Sequence, residues 1–377
     1  SYQSWGDKTL RRFDPEGFFN TGSNVNNSLT FSTGTQKHQT YFSAATTNAR
    51  NILPNSGYNR YNFTFRDVTK FLKDKLTVDL SASYILQDNK NMIAAGKYFN
   101  PLPALYLFPR GDDFDNVRLY QRWDESRNLY TQAWDYGSGD MSFQNPYWIM
   151  NKMINQTKKR RYMLSANLKY DVTDWLDVTG RVKVDNADMD ITEKRYAGTD
   201  TNFAGEKGMY SIIKRNDRQI YADAIANIDL TFAGDYHLSA NVGASLKDVR
   251  MDFMGWGGDL RKIPNFFSIT NISTTNYKER EDGSHIQSQS IFANVELAWK
   301  SMLYLTVTGR NDWESALAFS KYKSFFYPSV GLSAVVSEMV DMPEWFSFLK
   351  VRGSYSAVGS SYAAYLTKPY YDYKGQT

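Results

Sequence analysis

Leu76-Thr77-Val78-Asp79-Leu80-Ser81-Ala82-Ser83-Tyr84 is apolar at every even position and polar at every odd one. In an extended chain, successive side chains leave on opposite faces, so this stretch is a strand with one oily and one wet face. The same period returns from Leu176 to Val184 and from Tyr236 to Ala244. It appears again through 162–170, 222–230, 291–299, 303–309, 330–336 and 349–357. A helix would repeat its apolar positions at three and four residues instead.

Working outward from these centres gives about twelve strands, near 24–34, 37–48, 58–69, 75–87, 160–171, 175–187, 217–232, 235–248, 288–300, 302–311, 325–337 and 348–358. Their connections alternate in length. Short ones lie near 35–36, 70–74, 171–174, 233–234, 300–301 and 338–347, and longer ones at 49–57, 88–159, 188–216, 249–287 and 312–324. Antiparallel neighbours then put every short turn at one end of the sheet and every long loop at the other. An outer-membrane barrel has that polarity, with short periplasmic turns and long external loops. A ten-residue strand is roughly 33 Å long and, tilted by about 40–45°, matches an apolar band about 25 Å tall. The expected fold is all-β: part of a transmembrane, antiparallel, up-and-down β-barrel. Residues 1–377 form one partial barrel domain, whose largest extracellular loop is 88–159.

Composition narrows the chemistry. The 377 residues carry 44 Lys+Arg against 40 Asp+Glu, mixed along the chain, which argues against a nucleic-acid-binding arm. There is no Cys, which removes disulfides, thiolate metal sites and thiol nucleophiles, and the three His are isolated. No run of about 18 apolar residues exists, the length a membrane-crossing helix needs. No signal peptide is visible at Ser1, and the chain reads as a piece of a longer protein.

Aromatics are abundant, with 27 Tyr, 23 Phe and 9 Trp. Phe71, Trp175, Phe232, Tyr236, Trp299, Tyr304, Trp345 and Phe346 sit at or beside short turns, where a headgroup-level girdle is expected. The 88–159 loop is also rich in rings. Trp123, Trp134, Tyr147 and Trp148, with Trp256 in the 249–287 loop, are the candidate substrate-binding platforms, because a flat ring stacks on the apolar face of a sugar. The alternative is that these rings pack the loops onto themselves. On the polar strand faces, Arg181, Lys183, Arg310 and Arg352 are expected to face the lumen.

Other motifs are weaker. Phe108 to Asp115 holds three acids that could bind Ca²⁺ or form a solvated turn, and the spacing is not that of an EF-hand. Gly255-Trp256-Gly257-Gly258 reads as a flexible loop tip. Lys158 to Arg161 is a basic run at a strand's outer end, facing headgroups or solvent. No nucleophile or paired acids are placed by a motif, so no catalytic residue, metal ligand or cofactor is assigned and no enzyme activity is expected.

Several strings converge on one family. Ile52-Leu53-Pro54-Asn55-Ser56-Gly57-Tyr58-Asn59-Arg60-Tyr61-Asn62-Phe63, Phe108-Pro109-Arg110-Gly111-Asp112-Asp113-Phe114 and Gln144-Asn145-Pro146-Tyr147-Trp148 are three of them. Four more are Trp175 to Arg181, Thr308-Gly309-Arg310-Asn311-Asp312-Trp313, Phe326 to Ser333 and Leu349 to Ser356. In these strings the chain resembles the SusC-like TonB-dependent outer-membrane transporters of Bacteroidetes (the SusC/RagA family). The resemblance implies a 22-stranded barrel around an N-terminal plug. It also implies a SusD-like lipoprotein lid, energy coupling by TonB-ExbB-ExbD, and active import of an oligosaccharide or, less often, a peptide. About twelve strands are a central piece of such a barrel, with the plug and the remaining strands expected outside it. Two other readings share the periodicity: a passive porin-like barrel without a plug, and a soluble glycan-binding β-protein.

Overall fold

The structure, a computed structural model, describes residues 13–94, 96–110, 112–136, 143–275, 278–343 and 345–367, with backbone alone at 278–280. Four long strands come first: β1 (Ser23–Gly34), β2 (His38–Arg50), β3 (Gly57–Phe71) and β4 (Leu76–Lys90). The large loop that follows carries α1 (Pro101–Tyr106), a hairpin of β5 (Gln121–Asp124) and β6 (Leu129–Gln132), and α2 (Pro146–Lys152). Eight strands complete the order: β7 (Met153–Asp171), β8 (Leu176–Tyr196), β9 (Gly208–Phe232), β10 (Tyr236–Asp259), β11 (Lys278–Trp299), β12 (Leu303–Glu314), β13 (Ser324–Val335) and β14 (Lys350–Ser356).

All but β5 and β6 form one twelve-stranded antiparallel sheet in up-and-down order, with β1 and β14 at its edges. The register follows the alternation. Val78 lies opposite Leu168, which lies opposite Gly180, so apolar positions of successive strands share a face. Three-residue turns join β9 to β10 and β11 to β12, with φ of 50° at Ala233, 73° at Gly234, 51° at Lys300 and 56° at Ser301. Left-handed turn residues suit the right-handed twist of the strands they join.

Among the described residues nothing packs over the apolar face. Val178, Val182 and Val242 are 41, 49 and 48 % exposed, and the described strands form a single layer. A soluble sandwich would close a second sheet over these residues, as the hydrophobic effect requires in water. The face is instead a belt directed at lipid. At its short-turn edge Phe232 stacks on Tyr236 with centroids 5.5 Å apart, and Phe71, Trp175 and Trp299 are exposed. Tyr304 departs from the expected girdle. It shares the polar face with Thr306, and its hydroxyl donates to Ser301 O at 3.1 Å.

Several strands outrun their sequence signal. β8, β9, β10 and β11 continue roughly ten residues past the apolar belt, so the loops expected at 188–216 and 249–287 shrink to 197–207 and 260–277. Above the belt both faces meet water, and alternation disappears while the backbone ladder goes on. Gly255 to Gly258 consequently lie inside β10, not in a loop tip, and Lys158 to Arg161 lie inside β7.

The large loop folds as a body of its own. Leu105, Phe108, Phe114, Val117, Trp148 and Ile149 make its core, joined by Phe18 and Leu53 from either end of the first hairpin. Both helices start on an Asn-Pro pair. Asn100 accepts from Leu102 N, and Asn145 accepts from Tyr147 N at 2.8 Å and Trp148 N at 3.3 Å. Asn caps the free N–H groups, while Pro fills the first turn, where no N–H is needed.

Candidate functional site: the lumen wall and its roof

The polar faces of the twelve strands form a concave wall. Arg181, Asp223, Ser245, Ser290 and Asp312 lie in one line of cross-strand partners from β8 to β12. Arg310 stands two residues from Asp312, and Arg352 reaches the same face through Ser333 and Tyr304. The four expected lumen cations, Arg181, Lys183, Arg310 and Arg352, therefore share the concave face.

Most of this charge is neutralised in place. Arg181 donates to Asp223 from Nε at 2.9 Å and from Nη2 at 2.6 Å, and Tyr221 adds a hydroxyl bond at 2.8 Å to the same enclosed carboxylate. Arg66 grips Asp79 through two bonds, Arg161 pairs with Asp185, and Arg310 bonds Asp312 at 2.6 Å and Ser290 at 2.9 Å. The more exposed of these pairs, such as Arg66 with Asp79, contribute only about 0–1 kcal/mol each. Their larger effect is to fix long side chains against the wall and keep its surface uniformly hydrophilic. A groove of about 1030 Å³ runs along it, bordered by Arg66, Asp79, Ser81, Asn167, Arg181 and Lys183.

At the long-loop end a second cavity of about 720 Å³ opens under the 197–207 loop, lined by Glu193, Arg195, Asn202, Phe203, Met209, Ser211, Ile213 and Asp259. Two glycines of β10 shape its wall. A Cβ at Gly255 would meet Ile213 Cγ1 at 2.9 Å, and one at Gly257 would meet Ser211 Oγ at 2.9 Å. Arg195 organises the roof. It donates to Phe203 O at 2.8 Å and Glu193 Oε2 at 3.1 Å, and lies 4.7 Å over the Phe99 ring. Asp259 accepts from Gly205 N at 2.7 Å and ties the loop to β10. Beyond Glu193 and Arg195 lies a narrower pocket of about 210 Å³, walled by Met92, Ile93, Ile149, Met150 and Met153.

The five ring candidates are scattered. Trp148 is wholly enclosed in the loop core, its Nε1 donating to Thr199 at 3.0 Å. Tyr147 packs on Phe18 at 4.8 Å, and Trp134 packs against the contacting rings of Phe108 and Tyr136. Trp123 stands open on the β5–β6 hairpin beside Tyr130, and Trp256 falls on the outward face of β10, opposite Ile212. Loop packing thus occupies Trp148, Tyr147 and Trp134, and the ring facing solvent is Trp123. In the same body, burial pulls the Lys152 ammonium below its ordinary pKa, and burial beside Asp112 raises the Tyr136 phenol. Asp113 caps the turn at Phe114 by accepting from Asp115 N, while Gly111 of the acidic stretch lies outside the described residues.

Reasoning from the sequence missed Glu193, Arg195 and Asp259, because they sit where the alternation has ended. The Gly-Trp-Gly-Gly string was the available signal. Alternate glycines within a strand mark close approach on one face.

Comparisons with known proteins agree with this geometry. The model of the TonB dependent receptor-like β-barrel family matches residues 106–373. TonB-dependent receptor P26 of Formosa agariphila is 23 % identical over 339 residues, covering 87 % of this chain and 32 % of that protein. Among solved structures, the RagAB peptide transporter superposes with a TM-score of 0.72 at 15 % identity, over 88 % of this chain and 36 % of its own. The siderophore receptor PiuA of Acinetobacter baumannii gives 0.51 at 12 % identity, over 83 % and 46 %. The chain spans about a third of the length of the curated relative it matches. A twelve-stranded, two-faced wall with its loops gathered at one end, matched by the family model over most of its length, has one assignment: the chain belongs to the TonB dependent receptor-like β-barrel family of the bacterial outer membrane.

Proposed function

We propose that this chain supplies the wall and outer vestibule of a TonB-dependent importer that draws a nutrient, an oligosaccharide, through the outer membrane. A SusD-like lipoprotein covers the loops, and TonB-ExbB-ExbD supplies the energy through a plug seated against the ion-paired wall. The observation that carries the reading is the continuous hydrophilic wall from Arg66 to Arg310, capped by the 720 Å³ vestibule at the long-loop end. A passive pore is the weaker reading for a member of this receptor family.

A second substrate class has an observation in its favour. Glu193, Arg195 and Asp259 place both charge signs around the vestibule, beside a pocket of Met and Ile. A peptide offers termini and side chains to such a site, and the RagAB structure of similar fold is a peptide transporter. One experiment separates these readings. Cells carrying the full-length receptor, with or without TonB, are offered labelled oligosaccharide and peptide pools. TonB-dependent depletion of the oligosaccharides supports the first reading, and depletion of peptides alone replaces it with the second. Uptake that is equal without TonB would reject active import.

A further inference from the structure

The lumen wall carries aromatic rings that its ion pairs do not account for. One line of cross-strand partners, Ile225, Gly243, Phe292, Arg310 and Tyr327, crosses from β9 to β13 on the concave face. Phe325 stands two residues nearer the long-loop end of β13, its ring centroid 6.4 Å from that of Tyr327. Rings on this face meet water, where the hydrophobic effect gives them no reason to be unless something covers them.

Gly243 lets Phe292 lie against the wall. A Cβ there would meet Phe292 Cζ at 2.7 Å and Ala224 O at 2.8 Å. Arg310 stands in register between Phe292 and Tyr327, its guanidinium carbon 5.5 Å from the Phe292 centroid. Asp312 takes its Nε at 2.6 Å and Ser290 takes its Nη2 at 2.9 Å, which leaves Nη1 without a partner among the described residues. The guanidinium is therefore fixed in place and still able to donate.

Charge around the strip is balanced. Asp312 matches Arg310, and one level toward the loops Glu314 shares a row with Lys247 through Ser288. One level the other way, Asn241, Asn294, Thr308 and Ser329 form a row of uncharged groups that both donate and accept. A complementary ligand has an apolar face for the rings, hydroxyls for Arg310, Asp312 and the amides, and no net charge. A neutral pyranose has all three, because the C–H groups on one side of the ring pack on the electron-rich face of an aromatic. A uronate would bring its carboxylate against Asp312 and Glu314.

We propose that the Phe292–Arg310–Tyr327 strip is a binding station for an uncharged sugar unit inside the lumen, stacked on the two rings and held through its hydroxyls by Arg310 and Asp312. The proposal rests on the oligosaccharide reading above and narrows it to neutral chains.

Uptake by cells carrying the full-length receptor tests it, with labelled pools of neutral oligosaccharides, uronate-containing oligosaccharides and peptides as probes. The wild type is expected to deplete the neutral pool in preference to the acidic one. Phe292→Leu and Tyr327→Leu keep apolar bulk and remove the flat face. Each should raise the concentration for half-maximal uptake of the neutral pool about tenfold, the effect of losing one stacking ring, while heat-modifiable migration of the folded barrel is retained. Phe326→Leu, which removes the adjacent ring from the lipid-facing side of β13, should leave that concentration unchanged. Neutral uptake unaltered in both lumen variants would overturn the site and leave the oligosaccharide reading standing. Preferential depletion of the acidic pool would do the same. Entry of vancomycin without TonB in the lumen variants, at an unchanged half-maximal concentration, would assign the rings to seating the plug instead. Depletion of peptides alone by the wild type would reject the oligosaccharide reading itself, and this site with it.

Discussion

Val178 and Thr179 are neighbours in sequence and face opposite solvents. Val178 belongs to the exposed apolar belt, while Thr179 shares the concave face with Asp177, to which its hydroxyl donates. Val178→Arg is expected to destabilise the barrel by about 2–4 kcal/mol if it lies near the bilayer midplane, and less toward the interface. Thr179→Arg should be close to neutral. Urea unfolding of the full-length receptor in lipid vesicles compares the two, and equal losses would contradict the facing. Asn145 gives a second residue-scale expectation. Its side chain caps α2 and donates to Val117 O at 2.8 Å from a fully buried position. Asn145→Ala should cost the loop body about 1–3 kcal/mol, through the lost cap and the orphaned carbonyl. Hydrogen exchange at 100–150 should rise while the barrel strands keep their protection. The Asn-Pro pairs that start both helices were present in the sequence but went unread, and so did the enclosure of Trp148. Its partners, Thr199 and the core around Leu105, are distant in sequence, and periodicity carries no record of them.

The strands themselves were legible wherever one face met lipid and the other met water. They became invisible where both faces met water, which is why β10 continued unseen from Asp248 to Asp259 and took the vestibule with it. Gly257 tests that vestibule. Gly257→Leu places a side chain against Ser211, inside the proposed substrate space, so uptake by the full-length receptor should fall while heat-modifiable migration is retained. Unchanged uptake would move the substrate elsewhere. The loop body has its own pH signature. The Tyr136 phenol is raised, first by burial and then by Asp112, so it holds its proton more tightly folded than unfolded. That contribution is complete below the unfolded value of about 10 and disappears as pH rises through the folded value. Tryptophan fluorescence should report loosening of the loop body in strong alkali, and Tyr136→Phe should move its onset to higher pH.

At the scale of the molecule, one claim underlies the rest: the convex face meets lipid and the concave face encloses water. It explains why the belt lacks a covering layer among the described residues, why the short turns carry exposed Phe71, Trp175 and Trp299, and why Arg66, Arg161, Arg181 and Arg310 of the other face are ion-paired. The most direct measurement is spin-label accessibility in the full-length receptor reconstituted into vesicles, with single labels at Val182→Cys, Val242→Cys and Lys183→Cys. This stretch has no cysteine of its own to interfere. Labels at 182 and 242 should relax with oxygen dissolved in the bilayer and ignore a water-soluble nickel chelate, while the label at 183 should do the reverse. The same response at 182 and 183 would contradict the account.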